Sequence, residues 1–132
     1  MTMQRAARLW IFIIVAVAVY AIALSNDVYV IASPPALNLH VVIRKAESIV
    51  AFTAVAFAAA WWLGSRRQLP AILIFGAATY SGLIELGQRI CGSHESWQES
   101  LFDVFCGTLA GYIVAAVMLF VARRRSRADR TP

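Results

Sequence analysis

The sequence predicts an all-α membrane protein, a bundle of four transmembrane helices with both termini in the cytoplasm. Three observations carry that expectation. Hydrophobic residues fill 61% of the 132 positions, charged residues only 14%, and the mean hydropathy is +0.70, whereas a soluble domain carries about 25% charge. Four apolar runs, residues 9–24, 46–63, 69–88 and 101–122, approach or reach the roughly 17–25 residues that a helix needs to cross a bilayer. When those runs alternate in direction, the basic residues gather on one side.

The first run follows Arg5 and Arg8 and ends before Ser25, Asn26 and Asp27. A basic start and the small residues Ala21 and Ala23 also fit a cleaved secretory signal. At 16 residues, however, the apolar core exceeds the usual length of about 7–15 for such a segment, which favours a retained helix. A loop of about twenty residues follows, with Pro34 and Pro35 barring a continuous helix through its middle. It is the only loop large enough to cover a site.

The second and third runs form a tight hairpin through Gly64, Ser65, Arg66, Arg67 and Gln68, and Pro70 suits a first helical turn. Trp61 and Trp62 stand where interfacial aromatic anchors are expected. A polar loop over 90–100 precedes the fourth run, in which Gly107 and Gly111 have the spacing that lets helix backbones approach closely, within the bundle or between copies. Residues 1–122 therefore read as a single transmembrane domain. Residues 123–132 read as a basic cytoplasmic tail expected to be disordered and able to hold anionic lipid.

Arg5, Arg8, Arg66, Arg67, Arg123, Arg124, Arg125, Arg127 and Arg130 are nine of the twelve basic residues. They share the side of the termini, which is therefore cytoplasmic by the positive-inside rule. The opposite face keeps Arg44, Lys45 and Arg89, together with six of the seven acidic residues: Asp27, Glu47, Glu85, Glu95, Glu99 and Asp103. The pI near 9.9 is thus a signal of topology and does not point to nucleic acid. The expected location is the cytoplasmic membrane, crossed several times. The partners expected are the bilayer itself and a membrane-protein partner or second copy.

An ionisable side chain in an apolar helix costs a few kcal/mol to insert and asks for a partner or a purpose. Glu85 is the sharpest case. Helical spacing places Ser81, Glu85 and the Gln88/Arg89 pair on one face. On the fourth helix Glu99 and Asp103 lead into Cys106 and Gly107. On the second, Arg44 and Lys45 are followed by Glu47 and Ser48. Alternating topology brings all three groups to the outer leaflet. Lys45, Glu85, Gln88, Arg89 and Asp103 are the ligand-binding candidates, with Arg44, Glu47, Ser48 and Ser81 as a second rank. Two readings compete: a ligand pocket, and a latch of paired charges that pins the helices.

Signals of catalysis are thin. Cys91 and His94 have the spacing of half a metal site, but no second half accompanies them. No nucleophile has an orienting partner, and no phosphate-cradling loop or metalloprotease motif occurs. No metal or cofactor is expected, and enzyme is a minority reading. Cys91 and Cys106 read as free thiols in preference to a disulfide.

Over about residues 44–118 the chain resembles the VanZ-like family of small bacterial membrane proteins. The matches are Arg44 and Lys45 followed by Phe52, then Glu85-x-x-Gln88, then Asp103 with Gly107 and Gly111. The chain departs from that pattern at Ser48, where the family often has His, and at Gly92-Ser93 in place of Gly-Arg. It departs again at Gly107 in place of Asn and at Ala110 in place of Gly. The resemblance implies a membrane protein acting at the envelope, and the leading expectation is one that binds a lipid-linked or cell-wall-related ligand at the outer leaflet through its polar cluster. The alternatives are a structural or assembly subunit docking through Gly107 and Gly111, and a small transporter or intramembrane enzyme.

Overall fold

The computed structural model describes residues 3–25, 40–91 and 97–128, with the backbone alone at 40–45, 99, 125, 127 and 128. Among the described residues four helices follow one another: α1 Met3–Leu24, α2 His40–Leu63, α3 Leu69–Ile90 and α4 Trp97–Ala128. Each contains a stretch long and apolar enough to cross a membrane, with mean hydropathies of 2.4, 1.6, 1.6 and 2.3 in chain order. This is a multi-pass membrane bundle.

Each helix is longer than its apolar run. α1 begins at Met3 and takes in Arg5 and Arg8. α2 begins at His40, so the expected loop over 26–43 ends earlier, and its residues 26–39 lie outside the described set. α4 corrects the expectation of a disordered tail from residue 123, because the helix continues to Ala128. Alanine and arginine are among the strongest helix formers, and arginines in a last turn suit the negative end of the helix dipole. Hydropathy marks the part of a helix that sits in hydrocarbon and is blind to polar extensions.

The α2–α3 hairpin is built as its residues dictate. Gly64 has φ of 66°, the left-handed conformation that glycine adopts without a Cβ penalty. Its N–H donates to the Ala60 carbonyl at 3.0 Å, closing α2. Gln68 then starts α3, with proline in the first turn where no donor is lost.

α3 and α4 form the central seam, and α2 packs across α4 beside them. Leu73, Ala77 and Ser81 make a narrow stripe along α3, and Gly107, Ala110, Gly111 and Val114 face inward from α4. Two apolar layers stack along the bundle. Near the hairpin, Ala56, Ala60, Leu69, Leu73, Val114 and Ala115 pack together. Toward the other end, Phe52, Ile84 and Ala110 meet Val19, Tyr20, Ala23 and Tyr80. Thr53 and Thr108 bond back to the Ile49 and Val104 carbonyls at 2.7 and 2.8 Å, so their hydroxyls are satisfied inside their own helices.

α1 is peripheral, with no buried residue of its own. It leans from α2 at one end to α3 at the other. Near the hairpin, Phe12 stacks on Trp62 at 5.5 Å and Arg8 covers Trp61 at 5.3 Å. Farther along, Tyr80 donates to the Ala16 carbonyl, and Tyr20 rests on Gly87, where a Cβ would stand 2.6 Å from its hydroxyl oxygen. The two tryptophans expected as interfacial anchors are therefore also the mooring of α1.

Candidate functional site

Among the described residues, the buried polar side chains converge where α3 ends and α4 begins. α3 contributes one face, since Ser81, Glu85 and Gln88 are spaced by four and three residues and all three are buried. α4 contributes Ser100 and Asp103, also buried and three residues apart. Five polar side chains thus lie between two helices with at most 8% of their surface exposed. At that depth each needs a hydrogen-bonding or ionic partner inside the protein.

The partners follow from the close seam. Gly107 has no side chain, and an added Cβ would fall 2.6 Å from the Ser81 Cβ and 3.1 Å from its Oγ. That gap lets the Ser81 hydroxyl reach across and donate to the Asp103 carbonyl at 2.9 Å. About two turns farther along α3, Gln88 Nε2 donates to the Ala23 carbonyl at 2.9 Å, tying α1 to the same end. Glu85, Gln88, Asp103 and the half-buried Ser48 of α2 each make further interactions within the chain.

Arg89, partly exposed, borders the buried face. Its Nη2 donates to Ser100 Oγ at 3.0 Å, and its guanidinium lies 3.8 Å from the centre of the Trp97 ring. Trp97 is 73% exposed, so the charge sits at the rim of the cluster, oriented by a hydrogen bond below and an aromatic face beside it. A guanidinium has five donors in a rigid fork, and this arrangement uses one of them on Ser100.

Of the residues singled out from sequence, the fold brings Ser81, Glu85, Gln88, Arg89 and Asp103 together at one end. Glu47 is exposed and does not join them, because it points off the face of α2 that carries Ser48. Arg44 and Lys45 lie early in α2, with their side chains outside the described set, as is the Glu99 side chain. His94 and Glu95 fall outside the described residues altogether. Ser100 is a member that sequence reasoning missed. Its signal was present in its position three residues before Asp103, on the stripe that continues through Cys106 and Gly107. Trp97 was missed as well, since its role depends on which way Arg89 turns.

Gly107 and Gly111 are both spent on the seam inside this chain. A Cβ at Gly111 would stand 2.5 Å from the Leu73 carbonyl oxygen and 3.0 Å from the Ala77 Cβ. This is the within-bundle use of their spacing, and it leaves neither glycine facing an outside partner. Cys91 is exposed, Cys106 is buried and both are free thiols. Among the described residues no group of three or more His, Cys, Asp or Glu could hold a metal ion.

No protein-family model, no curated protein and no solved structure matches this chain. What fold and site define together is a class: a multi-pass membrane protein whose described residues form four spanning-length helices, with a buried polar cluster at one end of the central pair.

Proposed function

We propose that this chain is a non-enzymatic, VanZ-like protein of the bacterial cytoplasmic membrane. In this reading it binds the anionic headgroup of a lipid-linked or cell-wall-related ligand at the outer leaflet. The observation that carries the reading is the setting of Arg89. Ser100 and Trp97 hold its guanidinium at the rim of the cluster, so recognition of a phosphate-bearing group pays little for ordering the side chain. Glu85, Gln88 and Asp103 form the polar floor beneath it, and Lys45, early in α2, is the second candidate cation by sequence. The basic tail and the Arg66/Arg67 hairpin mark the cytoplasmic side by charge.

A second reading is supported by the hydrogen bonds Ser81 to Asp103 and Gln88 to Ala23. Here the cluster is a latch that holds α1, α3 and α4 in register, and the chain is a structural component of a larger membrane assembly. The glycine seam is taken up internally, so such an assembly docks on another face.

Thermal unfolding in detergent, with and without phosphatidylglycerol or an undecaprenyl phosphate, separates the two. The headgroup reading expects Arg89→Gln to abolish the lipid-dependent rise in Tm while leaving the lipid-free Tm nearly unchanged. It expects Arg89→Lys to retain part of that rise. Equal rises in the wild type and Arg89→Gln would remove it. If Glu85→Gln and Asp103→Asn lower the lipid-free Tm and leave the lipid response intact, the latch reading stands.

A further inference from the structure

We infer that the crevice between α1 and α3 seats an acyl chain of a bilayer phospholipid. α1 touches α2 near the hairpin and α3 near the polar end, so the two parallel helices α1 and α3 part like a V. The space left has a volume of about 190 Å³, and Phe12, Phe52, Trp62, Leu73, Gly76 and Tyr80 line it. α2 forms its floor.

The chemistry of the walls selects the occupant. They are hydrocarbon and aromatic ring, and the Tyr80 hydroxyl is turned to the Ala16 carbonyl. A polar headgroup would find no donor or acceptor in exchange for its water. Leu73, Gly76 and Tyr80 lie roughly 6–17 Å along α3 from Leu69 at the helical rise per residue. That range falls within the hydrocarbon layer, which is about 30 Å thick, so the material at the mouth is acyl chain.

Size agrees. An apolar cavity of about 150 Å³ takes up a benzene-sized guest, so this one admits a segment of roughly six carbons or somewhat more. A partner helix, about 10 Å across with its side chains, does not enter. The mouth is where Gly76 and Ile72 reach the surface. A Cβ built on Gly76 meets nothing within 4 Å. The absent side chain keeps the crevice open, and an added one would close it without disturbing the fold.

The experiment uses the full chain in phosphatidylglycerol vesicles with a trace of phosphatidylglycerol carrying a diazirine in mid-chain. Photolabelled residues are then mapped by peptide mass spectrometry. Labels are expected to concentrate on Phe52, Trp62 and Tyr80 relative to Phe105 and Ile113 on the outside of α4. Gly76→Leu is expected to cut the crevice labels several-fold and leave the α4 labels unchanged. Gly82→Leu, at another glycine with open space, is expected to leave both unchanged. Uniform labelling of all outward residues, insensitive to Gly76→Leu, overturns the inference. So does a shielded crevice in a protein that Gly76→Leu converts from dimer to monomer, since the occupant is then a second copy. Arg89→Gln leaves the crevice labels unaltered, which keeps this result separate from the headgroup reading.

Discussion

Gly107 of α4 lies against Ser81 of α3 so closely that no other residue fits at position 107 without moving one of the helices. The same approach carries the Ser81 hydroxyl to the Asp103 carbonyl at 2.9 Å. Packing and polar satisfaction at this seam are one feature. A larger residue at 107 would separate the backbones and strand the hydroxyl together.

Gly107→Leu and Gly111→Leu are accordingly expected to lower the midpoint of thermal unfolding in detergent. Each loses at least the 1–3 kcal/mol or so of an overpacked core. Gly107→Ala is milder, because a methyl that meets the Ser81 Cβ at 2.6 Å parts the two helices less than a leucine side chain does. Gly76→Ala, in open space, is expected to be neutral or to stabilise by up to about 1 kcal/mol through helix propensity. If all four variants unfold together, the seam does not hold the bundle.

Tyr80 and Gln88 each donate to a carbonyl of α1, at Ala16 and Ala23. Tyr80→Phe and Gln88→Leu should each weaken the docking of α1 by about 0.6 kcal/mol, the mean for interhelical hydrogen bonds in membranes. The check is amide hydrogen exchange of α1 compared with α4. Selective loss of protection in α1 is expected, larger in the double variant. Uniform loss across the four helices would mean that α1 is integral to the core.

The two thiols report fold and topology at once. Cys91 is exposed and Cys106 buried, so a maleimide should label Cys91 in the native protein and Cys106 only after denaturation. If the polar end faces outward as proposed, a membrane-impermeant maleimide added to intact spheroplasts should label Cys91. Labelling that requires permeabilisation would invert the topology and remove the outer-leaflet site with it.

Much of the fold was legible in the chain. Apolar runs of sufficient length located four helices, and Gly64 with Pro70 marked the turn between two of them. The stripe of Ser81, Glu85 and Gln88 was also legible, because residues three and four apart share a face whatever surrounds them. Arg89 was legible as a neighbour of that stripe, but its destination was not. Position 89 borders two faces, and only the placement of Ser100 and Trp97 on α4 chose between them. Glu47 is the reverse case: it is exposed on α2, and nothing in its local spacing told which side of that helix would meet the bundle.

The sequence by itself determined a membrane-embedded helical bundle with charged groups gathered toward one end. Hydropathy and helical periodicity are properties of neighbouring residues, and they add up locally without reference to partners. The tertiary structure alone decided that the glycines of α4 serve an internal seam, that α1 leans across from α2 to α3, and that an apolar crevice opens beneath Tyr80. Those outcomes depend on contacts between residues far apart in the chain, such as Gly107 with Ser81, Tyr80 with Ala16 and Gln88 with Ala23. In a bilayer the outward faces are apolar as well, so outside the polar stripe of α3 the chain carries little polar–apolar contrast to show which face turns inward.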